Sequence, residues 1–240
     1  MKEKSRNISS VVMKLIIAIL AIVGVGLTYF LGHTHGPSCF LYFTIQSNLW
    51  IAMMDVILAI FIILLLKNKI SKLDNRLYIA HYVFTVSITI TGLVYCFILL
   101  PAYAMVDPSE TGGAKPFNAP AVILHMVVPV LACIDFLVFT RHANFKWKDS
   151  FWALIPPLYY LVFSLIGFYA NWNFGDGRNF PYFFLNYNSP AGFFGFSDVM
   201  PYFMGSFYWM IIMILIVLGI AFIYTLCIKK LNNRSTVLKK

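Results

Sequence analysis

The sequence predicts an all-α integral membrane protein, a six-transmembrane-helix bundle with both termini cytoplasmic, and three observations carry that prediction. The 240-residue chain is 60% hydrophobic and 11% charged, which leaves too little polar surface to cover a soluble globule. Its apolar residues collect into six long runs separated by polar stretches, as in helices that cross a bilayer. With six spans drawn, 16 of the 18 Lys and Arg residues fall on one side, leaving Lys115 and Arg178 on the other. The positive-inside rule puts the basic side in the cytoplasm, as expected of a multi-pass protein of the cell membrane.

The expected spans are residues 11–31, 42–66, 78–100, 120–140, 151–170 and 205–228, within a single domain covering 1–240 and without an internal repeat. A short basic tail precedes the first span. That run is too long for a signal peptide and no small-residue cleavage site follows it, so an uncleaved helix is expected. The turn at 32–40 contains His33 and His35, a spacing that suits a metal. With no carboxylate or cysteine partner beside them, neither a metal nor any other cofactor is expected. The second span ends at Lys67, where a basic loop begins. The third stops at Pro101, since proline cannot continue a hydrogen-bonded helix. Pro108, Gly112, Gly113 and Pro116 make the next segment a loop.

Asn118-Ala119-Pro120 is a helix start with proline in the first turn, and opens the fourth span. Pro156-Pro157 should kink the fifth near its beginning. Residues 171–203 form one long loop, dense in aromatic residues; loops of this length inside compact proteins are usually functional. Its rings suit the membrane interface.

Composition also excludes several functions. The net charge of +9 is spent on topology, so no nucleic-acid partner is expected. Cys96, Cys133 and Cys227 lie in apolar runs and only Cys39 is near a loop, so no disulfide framework is expected. The chain has no CxxC pair, phosphate-binding glycine loop or Gly-x-Ser-x-Gly elbow.

What remains is a set of polar residues inside apolar helices, where they are costly and call for a reason. At ~100° per residue, Thr44, Asn48, Ile51 and Asp55 share one helical face, with Ser47 beside it. His81, Thr85, Thr89 and Gly92 make a second stripe. His125 and Asp135 lie in the fourth span, with Pro129 unable to donate to the His125 carbonyl. The orientation sets two groupings: Thr44 with His125 near the outer face, within about two turns of it, and His81 with Asp135 near the inner face. Asp55 falls between. An imidazole can take the proton of a threonine hydroxyl, which alone is too weakly acidic to attack an ester. Gln46, Ser47 and Asn48 are placed to orient that pair or to donate to a developing oxyanion, and Ser47 is a rival nucleophile. Asp135 and His81 should pair to hold the third and fourth helices together.

Taken together, six spans, Phe-Thr-Ile-Gln-Ser-Asn at 43–48, Leu124-His125 with Pro129 and Asp135, and Phe-Pro-Tyr-Phe-Phe-Leu at 180–185 resemble the bacterial six-span relatives of the androgen-induced and androgen-dependent transmembrane hydrolases. The resemblance covers nearly the full chain. It implies a threonine hydrolase acting on fatty acid esters of hydroxy fatty acids, with Thr44 and His125 in the positions of the catalytic pair. The residues around the threonine, Gln46-Ser47-Asn48, are those of the bacterial branch. Two other functions remain open: a small proton-coupled transporter using Asp55, His81 and Asp135 as a relay, and a non-enzymatic membrane protein whose polar residues tie helices together. The partners expected are a lipid or fatty-acyl ester and the bilayer.

Overall fold

A computed structural model describes residues 2–32, 36–105, 117–140 and 143–237. Among them, six helices are long and apolar enough to cross a membrane: α1 (Lys2–Leu31), α2 (Phe43–Leu66), α3 (Asn75–Ala104), α4 (Ala119–Phe139), α5 (Trp147–Tyr169) and α6 (Ser206–Val237). Six such helices suggest a multi-pass membrane protein. Two helices begin on side-chain caps. The Asp74 carboxylate accepts the Arg76 N–H at 2.9 Å, and the Asn118 side chain accepts the Ala121 N–H at 2.8 Å, each satisfying a donor that the first helical turn leaves open. His33 and His35 lie outside the described residues.

The helix bounds depart from the expected ones for physical reasons. α1 starts at Lys2 rather than at residue 11, because Lys, Glu and Arg are good helix formers and need no lipid around them. Proline does not end α3 at residue 101. A π turn over Tyr95–Leu99 precedes it, and the helix continues to Ala104. The wider turn lets the backbone pass a ring that would clash with a regular α turn. The same device precedes Pro129, with a π turn over Ile123–Val127, so the expected distortion at His125 is a local widening of the helix. In α5, a 3₁₀ stretch Trp147–Leu154 runs into the α-helical segment Ile155–Tyr169, with Pro156 and Pro157 in its first turn. The two prolines thus stand where the 3₁₀ stretch gives way to the α-helical segment, in whose first turn their missing N–H groups are tolerated.

α3 is the most buried of the six helices and touches α2, α4, α5 and α6, while α1 packs along α2 and α4. Tyr82 and Phe136 are fully buried where α3, α4 and α6 meet, and the Tyr82 hydroxyl donates to the Ala221 carbonyl at 2.7 Å. Asn75 and Asn144 exchange two hydrogen bonds, Asn232 reaches the Ala143 carbonyl, and Arg6 and Tyr78 border one cavity. These residues share one end of the bundle. The opposite end is covered by residues 171–203. There Phe174 is fully buried, and its carbonyl accepts the Tyr42 hydroxyl at 2.5 Å. Phe194 and Phe196 point outward, 62% and 72% exposed, but Phe184 turns inward. The aromatic loop is therefore only partly an interface belt.

Candidate functional site

Beneath the 171–203 segment, α2 and α4 bring the first expected pair together. Thr44 Oγ1 lies 3.1 Å from His125 Nε2. The other ring nitrogen, Nδ1, lies 3.0 Å from the Ala121 carbonyl, an acceptor only. Nδ1 therefore carries the proton, Nε2 is left with its lone pair, and the Thr44 hydroxyl donates to it. The cap at Asn118 orders the turn that supplies this carbonyl, and Tyr95 stacks on the imidazole with ring centroids 3.9 Å apart. On α3, a Cβ on Gly92 would stand 2.9 Å from the His125 carbonyl oxygen. The carbonyl opposite Pro129 thus faces a bare backbone, which lets α3 and α4 approach closely at the histidine.

The three polar neighbours of Thr44 divide their tasks. Ser47 Oγ donates to the Thr44 carbonyl at 3.1 Å and pairs with Thr91 Oγ1 at 2.8 Å. Asn48 Nδ2 donates to the Thr44 carbonyl at 2.8 Å and to the Leu124 carbonyl at 3.3 Å, bridging α2 to α4. Both hold the backbone of Thr44 and neither touches its hydroxyl. Gln46 faces away, donating to the Phe40 carbonyl at 3.1 Å. A helix turns each successive side chain by ~100°, which separates Gln46 from Thr44.

The sequence reading missed Tyr182. Its hydroxyl oxygen accepts the Thr44 N–H at 3.4 Å and lies 3.5 Å from Thr44 Oγ1. Burial pushes the Tyr182 phenol up to about 12, so it stays protonated and keeps a proton to donate. The signal was the Phe-Pro-Tyr block at 180–182, read above as part of a resemblance and of an aromatic interface belt. Two cavities meet at Thr44 and Tyr182. One, about 100 Å³, is apolar and lined by Phe43, Tyr160, Phe184, Met210, Met213 and Val217. The other, about 160 Å³, is lined by His125, Tyr42, Tyr95, Tyr103 and Arg178.

The second expected pair exists within a larger group. His81 Nε2 is 3.6 Å from Asp135 Oδ2 but closer, 3.0 Å, to Asp55 Oδ1. Asp55 therefore joins the inner grouping instead of standing between the two. Lys14, one of the 16 basic residues counted on one side, enters the same cluster: its ammonium bonds Asp135 and lies 3.7 Å from Asp55. It was missed because it lies at the edge of an apolar run, one helical turn before Ile17 and Ala18. All four side chains are buried. Asp55, His81 and Asp135 also offer ligand atoms within 4.8 Å of one another, but the Lys14 ammonium already supplies a cation there.

Between the two polar sites lies an apolar layer. Ile17, Ile51, Ile88 and Val128, all fully buried, pack together from α1, α2, α3 and α4. In α2, α3 and α4 they fall between the residues of one site and those of the other. No family model, curated protein or solved structure matches the chain.

Proposed function

We propose that this chain is an intramembrane hydrolase of lipid esters, with Thr44 as nucleophile and His125 as general base. The observation that carries the reading is the 3.1 Å contact from the threonine hydroxyl to a histidine nitrogen left with a free lone pair by the Nδ1–Ala121 bond. Thr44 Oγ1 attacks the ester carbonyl as its proton passes to His125 Nε2. The tetrahedral oxyanion takes a hydrogen bond from the Tyr182 hydroxyl, which needs a donor at the place where charge develops. The carbon–oxygen bond to the alcohol breaks, His125 returns the proton to the leaving oxygen, and an acyl-threonine remains. Water, deprotonated by His125, then releases the acid and restores Thr44.

The apolar cavity suits an acyl chain, and the cavity with Arg178 suits the polar part of the ester. Fatty acid esters of hydroxy fatty acids are the first substrates to test, given the resemblance in sequence. We place the protein in the cell membrane with both termini in the cytoplasm, on the distribution of basic residues. That puts the Thr44 site in the outer leaflet. The proton-relay reading is disfavoured by the buried apolar layer of Ile17, Ile51, Ile88 and Val128, which stands between the two sites.

The test is hydrolysis of branched and simple lipid esters by the purified protein, together with labelling by a fluorophosphonate probe. Thr44→Ala and His125→Ala should each lower turnover by at least ~100-fold, with thermal stability near that of the parent. Activity that survives Thr44→Ala and is lost in Ser47→Ala would reassign the nucleophile. Activity indifferent to all three substitutions would remove the hydrolase reading.

A further inference from the structure

The inner cluster does not balance its charge. Lys14 supplies one positive charge, Asp55 and Asp135 two negative ones, and a neutral His81 none. All four side chains are buried, with at most 3% exposure. An uncompensated charge in such surroundings is strongly unfavourable. Both Asp55 carboxylate oxygens, Asp135 Oδ1 and both His81 ring nitrogens also have no hydrogen-bond partner among the described residues. From the terminus-bearing end, a cavity of about 60 Å³ lined by Glu3, Arg6, Asn7, Ser10 and Tyr78 reaches Lys14.

We propose that Lys14, Asp55, His81 and Asp135 form a binding site for one proton, shared across the Asp55–His81–Asp135 triangle and exchanged with water through the cavity at Lys14. The bound proton closes the charge to zero, and the vacant lone pairs of the triangle are its landing places. A divalent ion would overshoot neutrality and has to displace the Lys14 ammonium, which stands between the two carboxylates.

The charged and titratable groups around the site are few. Lys14 faces it from α1, Asp55 from α2, His81 from α3 and Asp135 from α4. Phe136 stands against both His81 and Tyr224 of α6, and the Tyr224 hydroxyl is engaged by Thr89 at 2.8 Å. Glu3, Arg6 and Tyr78 line the entrance. Above the site stands the layer of Ile17, Ile51, Ile88 and Val128, and beside it the hydroxyls of Thr85, Ser87, Thr89 and Thr91 each donate to a carbonyl of their own helix. The proton enters and leaves by the same end, so the site binds a proton but does not conduct one. It ties four helices together.

The experiment counts protons on the full-length protein in lipid nanodiscs at pH 7. Nitrogen-15 spectra of the imidazoles report on His81, and the infrared carboxylic-acid band of isotope-labelled aspartate reports on Asp55 and Asp135. The wild-type chain should hold one proton in the triangle. Asp135→Asn balances Lys14 against Asp55 and should hold none. Lys14→Met leaves two carboxylates and should hold two.

Thermal unfolding gives an independent readout. The folded chain holds a proton that the unfolded chain, with the same side chains in water, gives up, so stability should fall as pH rises and the proton leaves. Asp135→Asn should abolish that dependence. A wild-type triangle with no proton at pH 7, or an Asp135→Asn variant with the wild-type pH dependence, overturns the proposal. A rise in wild-type melting temperature on adding sodium or manganese, lost in Asp135→Asn, also overturns it by making a metal ion the missing charge. The wild-type spectra decide the matter even if Lys14→Met fails to fold.

Discussion

At the scale of single residues, the outer site depends on which atom carries each proton. The Ala121 carbonyl sets the tautomer of His125, the lone pair on Nε2 takes the Thr44 hydrogen, and Tyr182 keeps its own. Because burial holds the Tyr182 phenol near 12, it remains a donor through the neutral and mildly alkaline range. Its ionisation lies above any ordinary assay pH. Tyr182→Phe is therefore expected to lower kcat on a lipid ester by ~100-fold, the low end for loss of one oxyanion donor. The shape of the pH–rate profile below pH 10 should not change, and a new alkaline limb there would contradict this role.

Gly92 makes a different kind of contribution. A methyl group there meets the His125 carbonyl at 2.9 Å and Pro129 Cβ at 3.0 Å. Gly92→Ala should cost about 1–3 kcal/mol by overpacking, read in thermal unfolding, and should lower turnover by moving the imidazole.

At the scale of elements, the π turns before Pro101 and Pro129 keep α3 and α4 continuous where proline would otherwise break them. The first turn of α4 is secured by Asn118, whose side chain also fixes the segment that presents the Ala121 carbonyl. Asn118→Ala should destabilise the fold by about 1 kcal/mol and reduce hydrolysis, while Asn118→Asp should keep both. Equal loss in the two variants would show that the cap is not the cause.

Much at this scale was legible in the sequence, and the misses follow a pattern. Apolar runs located the six helices, because burying backbone polar groups in lipid leaves the chain little else to form. They located the ends poorly: the polar start of α1 is helical for its own reasons, and a π turn carries α3 past a proline. Matching depth and helical face brought Thr44 to His125 and His81 to Asp135. The same reasoning missed Tyr182, whose place depends on how a long loop folds back, and Lys14, which composition alone assigns to the basic flank.

At the scale of the whole molecule, two polar sites sit at opposite ends of a four-helix contact, and basic residues gather at the end where the chain starts. Cysteines placed at 67–77 and 143–150 should be protected from an impermeant reagent applied to intact cells, while those at 171–203 should react. Reaction of the 67–77 segment from outside would reverse the proposed orientation.

The apolar layer of Ile17, Ile51, Ile88 and Val128 bears on energetics as well as on architecture. If hydrolysis occurs at Thr44 and this layer keeps protons from passing, every proton it moves is drawn from and returned to the water on one face of the bilayer. No charge crosses the membrane during turnover, so the reaction neither uses nor dissipates a membrane potential. In reconstituted vesicles, an imposed voltage should leave the rate unchanged. Acidifying only the compartment that bathes Arg178 should slow it, and acidifying the other compartment should not.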